Sequence, residues 1–420
     1  MLGNLRTVTH PSSIANTTMN YDLAGRKISM SDPDLGNWSY TYDRLNQLIS
    51  QTDGRGKTIC LYYNTIEQLI GKRFPGTATC PTTGAYAVSY TYDQNHNSTY
   101  EGLVNRSRGQ LTTVSSADYT KSLFYNDRGL LRRDTVLISG GPSATTRYGY
   151  DSYLRPSTTT YPDNEVVTVS YNSIGKPNKL TSNSGGTLVS GNRNTGNVTD
   201  GASYDSAGRF EYMLLPAGTA ATNDDVWVTY VYWGWLGTDG NSNGWLGDVR
   251  VGTGTSAYGT QHLKLTNEYD SFGNVKKITD NGTPYTFTYD DQNRAPRAPA
   301  TGYGKSYTYD SVGRMTSYEG TVQTVNATFP AHAIKKSGYS YDGNGNLISR
   351  AGNTLVWNHE NRLQEVKNGS TTIESYLYDP DGQRVKKTAA APAPTMSTSS
   401  MKRVGRRLHS TITSMGSGSR

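Results

Sequence analysis

The chain has 420 residues, 34% of them hydrophobic and only 18% charged, with 45 Gly and 32 Tyr against 6 Phe and 6 Trp. Disordered chains are poor in aromatics and rich in charge, the reverse of this balance. No apolar run approaches the roughly 18–20 residues of a spanning helix. The net charge of +7 is carried by the stretch after Pro380, where eight basic residues face Asp381 alone. With the rest of the chain balanced, no basic field for nucleic acid is expected.

In chain order, residues 1–20 read as a partial leading strand or extension without a signal-peptide pattern. Tyr21-Asp22 then opens a series that continues through Tyr42-Asp43, Tyr92-Asp93, Tyr150-Asp151 and Tyr204-Asp205. It resumes at Tyr269-Asp270, Tyr289-Asp290, Tyr309-Asp310, Tyr341-Asp342 and Tyr378-Asp379. Degenerate Tyr-Asn copies fall at Tyr63, Tyr125 and Tyr171. Several steps are 20 or 21 residues, so residues 21–387 are a repeat array. The widest gap reads as a long insertion near 210–265. Residues 388–420 read as a flexible basic tail of Ala, Pro, Ser and Gly.

Each copy predicts a strand, a tight turn and a strand. A second aromatic two residues before the Tyr, as at Tyr40/Tyr42, shares its strand face. The Asp accepts backbone N–H groups within the turn. A glycine three residues on (Gly25, Gly208, Gly273, Gly313, Gly345, Gly382) takes the positive φ that closes a bulged hairpin. The tyrosine ring buries apolar area while its hydroxyl needs a polar partner or water. Single hairpins are marginal and must stack on neighbours. The fold class is all-β: antiparallel hairpins forming a curved or spiralling sheet, a partial β-shell.

Y-x-Y-D-x-x-G-[RN]-[LIV] at this spacing resembles the YD repeat of rearrangement-hotspot (Rhs) proteins, insecticidal toxin-complex C components and the teneurin shell. The match runs from Tyr21 to Lys387. The resemblance implies a hollow shell around a C-terminal toxin or cargo polypeptide. It also implies secreted or cell-surface placement, and competition between bacteria. Tyr378-Asp379-Pro380-Asp381-Gly382-Gln383 lacks the leucine of the family's D-P-x-G-L self-cleavage motif. That protease is therefore not expected here, and the chain resembles a truncated product or a fragment.

Local motifs point to little chemistry. Asp239-Gly-Asn241-Ser-Asn243-Gly244 starts like a calcium loop, but its twelfth position is Arg250, and Asp248 would serve only with altered geometry. Ordinary turn chemistry is the simpler reading there, as at Asp342-Gly-Asn344. Gly302-Tyr-Gly304-Lys305-Ser306 fails as a phosphate loop, the six histidines are scattered, and no nucleophile elbow occurs. No enzyme, cofactor, metal or membrane span is expected. Cys60 and Cys80 are either a disulfide of an exported protein or two unrelated buried thiols. The densest aromatic patch holds Trp233, Trp235 and Trp245; it packs within the sheet or, if exposed, contacts cell-surface glycans. Two functions follow: a shell segment that encloses or presents a polypeptide, and a surface adhesin that binds glycans through exposed aromatics.

Overall fold

The structure is a computed structural model that describes residues 3–11, 14–100, 102–189, 203–215, 225–235, 243–254, 260–295, 297–298, 305–325 and 329–390. The described residues contain strands and turns and no helix. They divide into two compact units: residues 1–148 with 285–389, and residues 149–284.

In the first unit, strands follow one another in space in chain order, each antiparallel to the last. They run from Thr7–Val8 and Thr17–Tyr21 through Lys27–Asp32, Gly36–Tyr42, Leu48–Thr52, Thr58–Tyr63 and Leu69–Arg73 to Val88–Tyr92. Val88–Tyr92 pairs with Leu111–Ser116, and the chain between them forms a separate two-stranded hairpin, Thr99–Tyr100 with Leu103–Val104. Tyr119–Tyr125 and Leu131–Ile138 continue the ladder. The unit's later strands form a six-stranded sheet from Ser340–Tyr341 to Arg384–Ala389, again in chain order. Hairpin after hairpin is the product expected when turn signals recur about every ten residues.

In the second unit, Pro156–Thr160, Val166–Tyr171, Pro177–Ser182 and Gly186–Val189 are neighbours. Ser203–Tyr204, Phe210–Leu215, Val226–Tyr232, Leu246–Thr253, Thr260–Tyr269 and Val275–Asp280 make the next ladder. The described part of 210–265 thus adds strands to a sheet instead of interrupting one. Val167, Leu180, Val189 and Met213 form one buried apolar cluster, and Tyr212, Leu214 and Trp227 a second.

Apolar clusters this small match the low hydrophobic content. Much of the rest of the interior is polar: Thr58, Asn105, Ser107 and Asn344 are 3% exposed or less. Such groups remain buried only if hydrogen-bonded. Asn105 shows how this is met: its Nδ2 donates to the carbonyls of Gln94 and Asn95, and its Oδ1 accepts the Tyr125 N–H at 3.0 Å.

Candidate functional site

At Asp22, Oδ1 accepts the backbone N–H groups of Ala24 and Arg26 at 3.0 and 2.9 Å, while Oδ2 pairs with the Arg26 guanidinium at 2.6 Å. Gly25, at φ 81°, donates to the Asp22 carbonyl at 3.0 Å. The same carboxylate pattern recurs at Asp151, Asp205, Asp290 and Asp310 with arginine, and at Asp270 and Asp342 with asparagine. Asp43 and Asp379 accept the corresponding N–H from Gln47 and Gln383. The Arg26 backbone N–H, then its guanidinium, holds the Asp22 carboxyl below its ordinary pKa against the opposing cost of burial. Gly208, Gly273, Gly313, Gly345 and Gly382 all take the positive φ expected of them. Asn46, Glu67, Leu154, Asn293 and Asn361 fill the same position without being glycine.

The ladder slips by one residue at many of the copies, as between Asn20 and Tyr21 or Thr41 and Tyr42. The tyrosine hydroxyls find their partner one hairpin back. Tyr42 donates to the carbonyl of Lys27 at 3.0 Å, Tyr63 to Leu48 at 3.0 Å, and Tyr92 to Leu69 at 3.1 Å. Tyr171, Tyr204, Tyr269 and Tyr378 do the same to Pro156, Pro177, Leu246 and Leu363. The turn arginine supplies a second link forward. Arg26 lies 5.0 Å from the centroid of the Tyr42 ring and donates to the Asp43 carbonyl at 2.9 Å. Arg294 makes the same two contacts with Tyr309 and Asp310, and Arg362 with Tyr378 and Asp379. Where both residues are present, a repeat therefore grips its neighbours by a hydroxyl in one direction and a guanidinium in the other.

Two repeats escaped the sequence reading. Trp357-Asn358 is one: the Trp357 indole N–H donates to the Leu347 carbonyl at 2.9 Å, where a tyrosine hydroxyl would otherwise act. Asn358 Oδ1 accepts the Arg362 N–H, and Asn361 takes φ 64°. Tyr232-Trp233 is the other, with the Tyr232 hydroxyl on the Phe210 carbonyl and Arg209 4.1 Å from its ring centroid. The Trp-Asn-x-x-Asn-Arg and Tyr-x-Tyr patterns were the available signals. Asp93 departs in the opposite sense: its carboxylate accepts the N–H of Gly109 across the hairpin insertion.

Within the first unit, hairpin ends from residues 33–74 meet turns from residues 330–362. The Asn344 amide joins Asp53 and Gly54: Nδ2 donates to Asp53 Oδ2 and Oδ1 accepts the Gly54 N–H, both at 2.7 Å. Arg55 pairs with Asp53 at 2.6 Å and donates to the Asn358 carbonyl at 3.0 Å. His332 donates its backbone N–H to Asp34 Oδ1 and sets Nδ1 2.6 Å from Oδ2. Phe74 stacks on His359 with centroids 5.3 Å apart. Gly36, Gly54, Gly343 and Gly345 let the backbones touch, since a Cβ on any of them would fall on a carbonyl opposite. Lys72 reaches Glu360 at 2.8 Å; burial opposes its charge, but the hydrogen bond and charge of Glu360 prevail and raise its pKa. Further along, burial and then the charges of Asp379 and Asp381 push the Tyr119 phenol up to about 12.

Cys60 and Cys80 form a disulfide, with Cα atoms 5.6 Å apart. Beside it, Arg73 donates to the carbonyls of Pro81 and Gly84 between the rings of Tyr62 and Tyr86.

In the second unit, the Trp233 indole donates to the Asn267 carbonyl at 2.9 Å, and Trp245 lies 5.0 Å from the Tyr269 ring. Trp235 is 64% exposed, with Arg209 over its ring. Two of the three tryptophans are thus engaged within the sheet. Asp248 pairs with Arg250 and Lys264 and accepts the Thr266 hydroxyl, leaving it little freedom to hold a cation. Asp239–Asn241, Gly302–Gly304 and the basic tail beyond Ala390 lie outside the described residues.

Residues 249–391 match the family model described as the teneurin YD-shell. A 92-residue stretch is 35% identical to the tRNA nuclease WapA of Bacillus subtilis (strain 168), covering 20% of this chain and 4% of that protein. The fold matches a Photorhabdus luminescens Tc holotoxin pore with a TccC3 variant at TM-score 0.71 and 18% identity, over 91% of this chain and 20% of that one. It also matches TcdB2-TccC3 without its hypervariable C-terminal region at TM-score 0.71 and 17% identity, over 91% and 21%. The chain spans about a fifth of the length of these structures.

Proposed function

We propose that the chain is a segment of YD shell of the Rhs/YD-repeat family, and that it acts without catalysis, as a wall that encloses or presents a polypeptide cargo at the cell surface or outside the cell. The observation that carries this reading is the coupling of repeats. Hydroxyl and guanidinium contacts tie many hairpins to their neighbours, and the buried Asp53–Asn344–Arg55 network joins early repeats to late ones. Contacts of this kind favour a continuous wall over independent binding blades. The Cys60–Cys80 disulfide supports an oxidising compartment. The adhesin reading draws less support, because only Trp235 of its three tryptophans stands clear of the sheet.

The test is protease protection. An unfolded reporter peptide is fused after Arg420, and the fusion is digested beside the free peptide. Enclosure predicts that the fused peptide outlasts the free one by at least about tenfold in time, and that mild denaturation abolishes the difference. Equal digestion rates in native buffer would overturn it.

A further inference from the structure

The seam in the first unit contains a cavity of about 310 Å³ whose walls come from both sides of the contact. That volume is at the lower end of the roughly 300–1,000 Å³ typical of small-molecule sites. One wall is apolar, formed by Trp38, Ile59 and Leu61. These residues share a sheet face with Gln51, because Gln51 pairs with Ile59 across the ladder and Tyr40, two residues from Trp38, pairs with Gln51. The opposite wall is the turn His359–Arg362.

The charges are unequal. Glu360 is neutralised twice, by Lys72 at 2.8 Å and by Arg362 at 3.1 Å. Asp53 is held by Arg55 at 2.6 Å. Lys57, exposed at the rim, makes no ion pair among the described residues. The uncompensated positive potential is felt by His359. Burial first, then the charges of Lys57 and Arg55, lower its pKa, with Asp53 opposing them. Neutral donors converge as well: the Asn361 Oδ1 is occupied by Asn344 and Asn346, which leaves its amide nitrogen and the Gln51 side chain to face a guest.

We propose that this cavity binds an acidic sugar, a hexuronate unit whose less polar flank rests against Trp38, Ile59 and Leu61, whose carboxylate is held by Lys57, and whose hydroxyls meet Gln51 and Asn361. A bare anion would leave the apolar wall unused, and a neutral sugar would leave the Lys57 charge unanswered. Because the two walls belong to repeats some 290 residues apart, as the Lys72–Glu360 pair is, the bound unit also fastens the seam. The site is separate from Trp233, Trp235 and Trp245.

The experiment titrates the full chain with D-glucuronate, D-glucose and acetate, reading calorimetric heat and the NMR titration of His359. Expected are saturable glucuronate binding with Kd on the order of 1 mM, binding of glucose and acetate at least about tenfold weaker, and a His359 pKa that rises when glucuronate is bound. Lys57→Gln, at an exposed position, leaves the circular dichroism spectrum unchanged and brings glucuronate down to the affinity of glucose. Gln51→Ala weakens both sugars. Absence of saturation by about 50 mM glucuronate, a well over tenfold shortfall from that Kd, overturns the proposal. So does acetate binding as tightly as glucuronate, or Lys57→Gln binding unchanged.

Discussion

A single atom explains why the repeat uses tyrosine where phenylalanine would bury as much area. The Tyr63 hydroxyl donates to the Leu48 carbonyl at 3.0 Å, and equivalents recur along the chain. Tyr63→Phe is expected to cost about 1 kcal/mol, read as a lower denaturation midpoint. Leu154 tests the turn geometry from the other side. It holds φ 63°, a left-handed conformation that costs a non-glycine residue roughly 1–2 kcal/mol, and its side chain is exposed. Leu154→Gly therefore gains more than glycine's roughly 0.5–1 kcal/mol loss of chain entropy removes, and should raise the midpoint. The tyrosines also set an alkaline limit. Burial raises the pKa of Tyr63, Tyr92, Tyr125 and Tyr171 in the folded chain, and that of Tyr119 to about 12. A raised folded value means the unfolded chain loses its protons first. The contribution is full below about pH 10 and is lost as pH rises from there through about 12. Near-ultraviolet titration of phenolate should show ionisation delayed until unfolding.

At the scale of elements, the strand Thr58–Tyr63 and the loop after Arg73 form one stapled piece. The disulfide closes a 20-residue separation, and Arg73 and Tyr62 hold the same loop by its carbonyls. Replacing both cysteines by serine should cost about 3 kcal/mol, seen as faster hydrogen exchange in residues 58–87 with the second unit unchanged. Other hairpins carry no such staple, and they depend on their neighbours through links such as those of the tyrosines and the turn arginines. That is why copies as different as Tyr21-Asp22 and Trp357-Asn358 are interchangeable: the fold requires a donor at the strand end and an acceptor at the turn, whichever side chains supply them.

At the largest scale, the first unit depends on contacts between residues about 290 positions apart. Asn344→Ala leaves the Gly54 N–H without its acceptor and removes a donor from Asp53, at an expected cost of about 1–3 kcal/mol. Gly343→Ala places a methyl group on the Gly54 carbonyl. Both variants should speed exchange at residues 53–57 and 342–346 together, while the sheet of Pro156–Ser182 is unaffected. Independent exchange in the two segments would show that the seam is not a cooperative element.

Turn, strand and repeat order were legible in the residues because they are local. An aspartate reaches its own turn, a glycine answers its own φ, and period-two alternation marks its own strand. The Tyr-Asp series thereby specified an antiparallel array and its family resemblance. The Trp357 and Tyr232 copies were harder to read, since each keeps the hydrogen-bonding role while changing the residue that performs it. Which carbonyl a tyrosine meets, whether Cys60 finds Cys80, and that Asn344 seals against Asp53 were decided only in three dimensions. Such contacts depend on how far successive hairpins rotate against one another. Small twists summed over many strands bring distant turns together, and no single repeat encodes that sum.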